Sequence, residues 1–291
     1  MKLFKNIICV AICLIAYQAL SAPINLVVFS RNRPLQLDAF LESFDKNTHG
    51  CKAISIIFKA DTPDYRQGYM LTQQRYPAVR FLEQSAAEND FKRLVLKAAE
   101  FENDGYIVFA VDDIIITRPV DFHKIIDLLK DNQAEGFYLR LGTHITECYS
   151  QNRKTGVPDL HEVLPGVYSW EFRKGQGDWG YPHSVDMVVY RKKDIKPFFL
   201  KTYFNNPNIL EGAWACQNPH HQTGLCYEYA CIVNCPLNIV QTTFKNRHSN
   251  ECLPEELLDL YLQGYKLDIE PLQNCINRAP HMDYKPTFIA Q

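Results

Sequence analysis

Two adjacent carboxylates, Asp112 and Asp113, close the apolar run Tyr106 to Val111 in the stretch GYIVFAVDDIIITRP, residues 105 to 119. A run of this length, rich in β-branched and aromatic residues, reads as a strand buried on both faces. Charges enter such a run when they are paired or bind a metal. At the carboxyl end of a buried strand they stand where open α/β sheets place their ligands. A carboxylate pair there suits a hard divalent cation that carries phosphates. The plainer alternative is a strand end whose acids cap a turn. A second polar cluster, Ser30, Arg31 and Arg33, follows directly on the apolar residues Ile24 to Phe29. An arginine offers a bidentate fork to phosphate or carboxylate; a solvated turn has the same composition.

These groups need elements to hold them. Ile24 to Phe29 reads as a first strand, and Leu37, Phe40, Leu41 and Phe44 fall at helical spacing behind Pro34, which suits a first helical turn. Ala53 to Phe58 and Val79 to Leu82 read as further strands. Asp90 is placed to cap a helix with Phe91, Leu94, Val95 and Ala98 on one face. Phe122, Ile125, Ile126 and Leu129 mark another helix after the Asp112–Asp113 strand. This alternation predicts an α/β fold with a mostly parallel central sheet and helices on both faces. The second half is less regular: strands at 136–141, 185–190 and 237–243, helices at 193–204, 205–214 and 253–265, and a long turn-rich stretch from 142 to 176 that reads as functional and partly ordered. No repeat, low-complexity tract or linker divides the chain, so residues 23–291 read as one domain with a carboxyl-terminal elaboration.

The 291 residues are 46% hydrophobic and 22% charged, with a formal charge of −2, ordinary for a globular protein. No basic stripe points to nucleic acid. Lys2 and Lys5 precede an apolar stretch, Ile7 to Leu20, followed by small residues. Residues 1–22 read as a secretory signal peptide, or else as an uncleaved anchor associating with a membrane through residues 7–20. Either places the chain in the secretory pathway, exported or membrane-anchored. Eight of the ten cysteines lie beyond this segment, a number that permits disulfides without fixing any pairing. The spacing of Cys216, Cys226, Cys231 and Cys235 matches no usual zinc pattern.

Taken in order, these motifs resemble nucleotide-sugar glycosyltransferases of the GT-A (Rossmann-like) fold, close to the family 2 type. FSRNRPLQLDAFLESF, residues 29 to 44, looks like their opening strand, loop and Leu-rich helix, and VDDIIITRPVDF, residues 111 to 122, looks like their acidic metal motif and its exit. The likeness covers residues 24 to 125 clearly and continues by position to about 250. It departs at the acidic motif, where Ile114 leaves two acids in place of Asp-x-Asp or a longer run.

The resemblance implies transfer of a sugar from a nucleotide-sugar donor to a carbohydrate or other hydroxyl acceptor, assisted by Mn²⁺ or Mg²⁺. It puts Asp113 on the metal and Asp112 on the donor ribose or a metal-bound water. It puts Ser30, Arg31 and Arg33 on the base and phosphates, Asp61 on the base or ribose, and His248 in a carboxyl-terminal loop that completes the metal shell. Inverting transfer needs a carboxylate base, and Glu211 and Asp178 are equal candidates. Glu211 stands where the family has Glu-Asp, although Gly212 follows here. Asp178 sits in GQGDWGYP, whose Trp179 and Tyr181 suit an acceptor platform or, equally, buried loop anchors. Asp186 is a third candidate base or a satisfied core acid. The alternative reading is a non-catalytic carbohydrate- or nucleotide-binding protein on the same fold.

Overall fold

The computed structural model describes residues 24–85, 89–240, 247 and 252–291. The amino-terminal signal or anchor, Lys245 and His248 lie outside the described residues. A nine-stranded sheet organises the molecule: β1 (Ile24–Arg31), β2 (Ala53–Lys59), β3 (Arg80–Glu83), β4 (Tyr106–Val111), β5 (Gly136–Tyr138), β6 (His161–Leu164), β7 (Val167–Glu171), β8 (Val188–Arg191) and β9 (Thr223–Tyr227). Their order across the sheet is β6-β7-β9-β5-β8-β4-β1-β2-β3. Strands β4, β1, β2 and β3 run parallel, with Phe29 of β1 level with Val111 of β4 and with Ile57 of β2. β8 enters antiparallel between β4 and β5, β9 lies parallel to β5, and β6 and β7 extend the sheet antiparallel. The α/β organisation expected from the sequence is present, with its parallel part concentrated in the amino-terminal half.

Seven α-helices are present among the described residues: α1 (Pro34–Asn47), α2 (Pro63–Arg75), α3 (Phe91–Ala99), α4 (Phe122–Asp131), α5 (Lys192–Lys201), α6 (Pro207–Ala215) and α7 (Pro254–Leu262). Alternation along β1 assigns the faces. Ile24, Leu26 and Val28 pack with Leu37, Phe40 and Phe44 of α1 and Ile125 of α4. Val27 and Phe29 pack with Phe91 and Val95 of α3, Phe199 of α5 and Trp214 of α6. Both sheet faces are therefore dry, which explains why β4 reads as an unbroken apolar run. Among the described residues no helix is long and apolar enough to cross a membrane.

Two local readings are revised, and a third gains detail. Asp90 stands at the start of α3, yet its carboxylate makes no cap to the helix; it accepts from Ser85 N–H and Arg93 instead. Leu237 to Val240 form no strand, and residues 241–243 lie outside the described residues. The 142–176 stretch contains the β6–β7 hairpin, with Gly166 at φ +75° in its turn.

The helix that follows the first strand is held by close contact with its neighbour. Gly68 of α2 faces Pro34 at the start of α1, and a Cβ there would stand 2.6 Å from Pro34 Cγ and 3.1 Å from a Leu258 methyl of α7. Replacing Gly68 by Ala raises helix propensity but drives a methyl into a rigid ring. Overpacking of this kind costs about 1–3 kcal/mol, so Gly68→Ala is expected to lower the free energy of unfolding measured in urea.

Candidate functional site

Parallel pairing fixes the geometry of the site. Because β1, β2 and β4 run the same way, their carboxyl ends share one edge of the sheet, and the residues after them meet. A cleft of about 760 Å³ opens at that edge, within the size range of small-molecule sites. Ser30, Arg31 and Arg33 line it from the β1–α1 turn, and Asp112 and Asp113 from the end of β4. Antiparallel β8 brings its amino end to the same edge, so Val185 and Asp186 join the opposite wall with Asp178, Tyr181 and Glu211.

The turn after β1 is built by Asn32, whose φ of +53° suits an asparagine better than most residues. Its side chain receives the Asp61 N–H at 2.9 Å and donates back to the Asp61 carboxylate at 2.8 Å. Asp61 also pairs with Arg31 at 2.8 Å. Arg31 and Asn32 outweigh slight burial and hold the Asp61 carboxyl below its usual range. Asp61 does not itself line the cleft; it holds Arg31, which does. The Ser30 hydroxyl is shared with Tyr69 of α2 at 2.6 Å.

Arg33 is the hinge of the site. Its Nη1 donates to Asp112 Oδ1 at 3.0 Å and to Asp113 Oδ2 at 3.2 Å, and its Nε donates to Asn238 Oδ1 at 2.9 Å. Its Nη2 donates to the Asn238 carbonyl. Burial opposes the charge of Arg33, but Asp112 and Asp113 outweigh it, and the guanidinium pKa is raised. Asp112 moves the other way: burial and the neighbouring Asp113 lift its carboxyl to about 6 against the pull of Arg33. Asp113 Oδ1 is buried and has no hydrogen-bond partner.

The far wall carries three acids around one buried cation. Arg140, in the turn after β5, donates from Nη1 to Asp178 Oδ1 at 2.7 Å and lies near Asp186 and Glu211, which raise its pKa against burial. Glu211 of α6 accepts the Val185 N–H at 3.0 Å. Burial and the nearby Asp186 push its carboxyl up to about 7, opposed by hydrogen bonds from Val185 and Ser184 and by Arg140. Asp186 is raised by burial, opposed by His281 and Arg140 and reinforced by Asp113 and Asp178. His281 Nε2 lies 3.8 Å from Asp186, and the imidazole stacks on Tyr149, which in turn carries Arg247 over its ring.

Comparison with known proteins meets this geometry from the side of sequence. No family model matches the chain. It is 23% identical over 276 residues to the "Bifunctional glycosyltransferase pgtA" of Dictyostelium discoideum, an alignment covering 84% of this chain and 36% of that protein. The chain resembles a known glycosyltransferase. It spans about a third of the length of that curated relative. Among solved structures, S. aureus TarS 1-349 in complex with UDP-GlcNAc overlaps 79% of this chain and 61% of its own, at 12% identity and a TM-score of 0.43. The mannosyltransferase PcManGT of Pyrobaculum calidifontis, in complex with GDP-Man and Mn²⁺, overlaps 72% and 58%, at 7% identity and a TM-score of 0.39.

Most residues singled out in the sequence therefore gather in one cleft: Ser30, Arg31, Arg33, Asp112, Asp113, Asp178, Tyr181 and Glu211. Trp179 does not. It is fully buried, donates its indole N–H to the Ile145 carbonyl at 2.9 Å, and meets Trp170 edge-on. The GQGDWGYP loop thus uses Trp179 as its anchor and presents Gly177, Asp178 and Tyr181 to the cleft. Arg140, Asn238 and His281 went unmarked by sequence reasoning. For Arg140 the signal was available, since it is a lone charge inside the apolar GFYLRL run and meets the criterion that singles out Asp112 and Asp113. Asn238 lies in a stretch that reads as a strand, where a polar residue carries no mark, and His281 in a tail without periodicity.

Removing Arg33 would strand two carboxylates. Breaking one side of a buried ion pair costs about 3–5 kcal/mol, so Arg33→Ala is expected to be that much less stable to urea at pH 7.5. The sign with pH follows from Asp112. An acid whose folded pKa lies above its unfolded value stabilises the fold at low pH, and that contribution fades as pH rises through the folded value. Arg33 pulls Asp112 down, so without it Asp112 rises further; the variant then gains more than the native chain as pH falls, and its deficit should shrink as pH is lowered toward about 6.

Proposed function

We propose that this chain transfers a sugar from a nucleotide-sugar donor to a hydroxyl acceptor. One observation carries the reading: Arg33 after β1 meets Asp112 and Asp113 at the end of β4, in a cleft whose opposite wall holds the buried Asp186 and the half-buried Asp178 and Glu211. The likeness to a curated glycosyltransferase supports it. The donor diphosphate lies against the β1–α1 turn, where Arg31 and Arg33 face it and Asp61 positions Arg31. The ribose lies against Asp112, and the acceptor sits over Tyr181.

A divalent cation fits the residues at Asp113. The buried Oδ1 is free of hydrogen bonds, and no cluster of three His, Cys, Asp or Glu ligand atoms includes Asp113 among the described residues. One or two carboxylates suit Mg²⁺ or Mn²⁺, which keeps several waters and takes further ligands from substrate phosphates. Such an ion supplies neutralisation of the charge developing on the leaving diphosphate. His248, outside the described residues, remains a proposed further ligand.

In an inverting transfer the acceptor oxygen bonds the anomeric carbon as the bond to the diphosphate breaks, and the acceptor proton passes to a carboxylate. Glu211 suits that role better than Asp178. Its pKa near 7 leaves it a competent base at neutral pH, whereas Asp178 is tied to Arg140 at 2.7 Å. The amino-terminal segment is proposed to deliver the chain to the secretory pathway, whose lumen is a setting for nucleotide-sugar donors. A second reading, a binding protein without turnover, is favoured by Arg33 itself, which already neutralises part of the acidic pair.

Calorimetry with UDP and with GDP, each with and without Mn²⁺, tests the site. Metal-dependent binding of one nucleotide is expected, weakened more than about tenfold, or 1.4 kcal/mol, in Asp113→Ala; a folded chain that binds neither nucleotide removes the proposal. Donor turnover separates the two readings. With turnover established, the rate should rise with pH through about 7 as Glu211 ionises. Glu211→Gln should cost about 10²- to 10⁴-fold in kcat and abolish that rise while nucleotide affinity is kept. An unchanged pH profile in the variant would assign the base elsewhere.

A further inference from the structure

A group of ligating side chains stands at the other edge of the sheet. Arg191 at the end of β8 pairs with Tyr106 at the start of β4, so α5, which begins at Lys192, starts at the edge away from the cleft. Asp194 lies in the first turn of α5. Its side chain is only 6% exposed, and Oδ2 is buried without a hydrogen-bond partner. The loop between α6 and β9 brings His221 Nε2 to 3.8 Å from that oxygen and His220 Nε2 to 4.0 Å from Oδ1. One ligand atom from each of the three residues lies within 4.8 Å of the others.

The surroundings hold these groups in place. Glu135 accepts the His221 N–H at 2.7 Å, and its other oxygen lies 3.0 Å from Nε2 of the buried His183. The neighbouring cation, Arg191, is 3.6 Å from Asp194 Oδ2, but it directs its N–H groups to the carbonyls of Leu129, Asn132 and Ala134 at the end of α4. A buried carboxylate thus has one imidazole near each of its oxygens, His221 at Oδ2 and His220 at Oδ1.

We propose that Asp194, His220 and His221 bind a structural transition-metal ion of the zinc type. Two imidazoles and one carboxylate suit Zn²⁺ better than the oxygen-seeking Mg²⁺ or Ca²⁺. Metal–ligand bonds of about 2.0–2.2 Å need the three atoms slightly closer than they stand, a shift within reach of the exposed His220 ring. Water takes the remaining position. The ion clips the first turn of α5 to the loop leaving α6, the helix that carries Glu211. The other such group among the described residues, His49, Asp121 and His123, is a weaker site. There the Asp121 carboxylate already caps α4 through the N–H groups of His123 and Lys124 and lies 3.2 Å from His49.

The test uses the metal-stripped full chain titrated with Zn²⁺ against a chromophoric chelator, with thermal unfolding followed in parallel. One equivalent of Zn²⁺ should bind and raise the melting temperature. Affinity should fall more than about tenfold in Asp194→Asn and in His220→Ala, and stay unchanged in His123→Ala. His220 is 62% exposed, so its variant is expected to fold even where Asp194→Asn does not. No stoichiometric binding, equal affinity in His220→Ala, or loss of binding in His123→Ala would each overturn the assignment.

Discussion

Two neighbouring carboxylates at the end of a strand buried on both faces must be compensated, and the rest of the site follows from how this chain does it. Asp112 is only 3% exposed, and water cannot solvate it. The compensating cation comes from β1, the strand next to β4, because only a parallel neighbour ends at the same edge. Arg33 meets this need at a separation of about eighty residues in sequence but one strand spacing in the sheet. Its own desolvation is offset by two carboxylates and by Asn238, so the pair is stable only as a network. The left-handed turn at Asn32 and the Arg31–Asp61 bridge then orient the loop that presents it.

The opposite wall solves a different problem. Asp178, Asp186 and Glu211 crowd around Arg140, one buried cation for three acids. Charge cannot be balanced there with every acid ionised in a low-dielectric wall. The geometry decides which acid yields. Asp178 has the direct contact with Arg140. Glu211 has a backbone N–H and a hydroxyl but no cation in contact, and its carboxyl is lifted to about 7, with Asp186 raised beside it. Sequence alone left these two acids equal as candidate bases. Their different partners divide them, and those partners come from β5 and the β8 entry, which no local pattern connects.

What could be read from the sequence was what local chemistry dictates. The alternation of apolar runs and 3.6-residue stripes gave the order of strands and helices through residue 131 except for α2, whose buried face of Tyr65, Gly68, Tyr69 and Thr72 makes no apolar stripe. Charges at the ends of apolar runs marked Asp112 and Asp113, and the same criterion applied to Arg140 would have marked the second wall. Trp179 shows the limit. An aromatic beside an acid in a glycine-rich loop has one composition whether it faces a ligand or anchors the loop, and only its contacts with Ile145 and Trp170 decide. The antiparallel entry of β8 was equally hidden, since a short strand carries no mark of its direction.

The charge count of the donor wall bears on the departure at Ile114. Asp112 and Asp113 face one cation, Arg33, while Arg31 and Lys59 both stand at Asp61. Three cations thus meet three acids, and with each cation held by a carboxylate the wall offers a diphosphate no surplus positive charge. Arg33 alone cannot serve the diphosphate, because turning toward it would abandon both buried carboxylates. A divalent ion joining at the free oxygen of Asp113 would make the wall net positive without disturbing Arg33. On the proposed donor reading, a motif shortened to two acids would need such an ion as much as a longer one does. The loss of the third acid removes a ligand, but the fixed arginine removes none of the need for added positive charge.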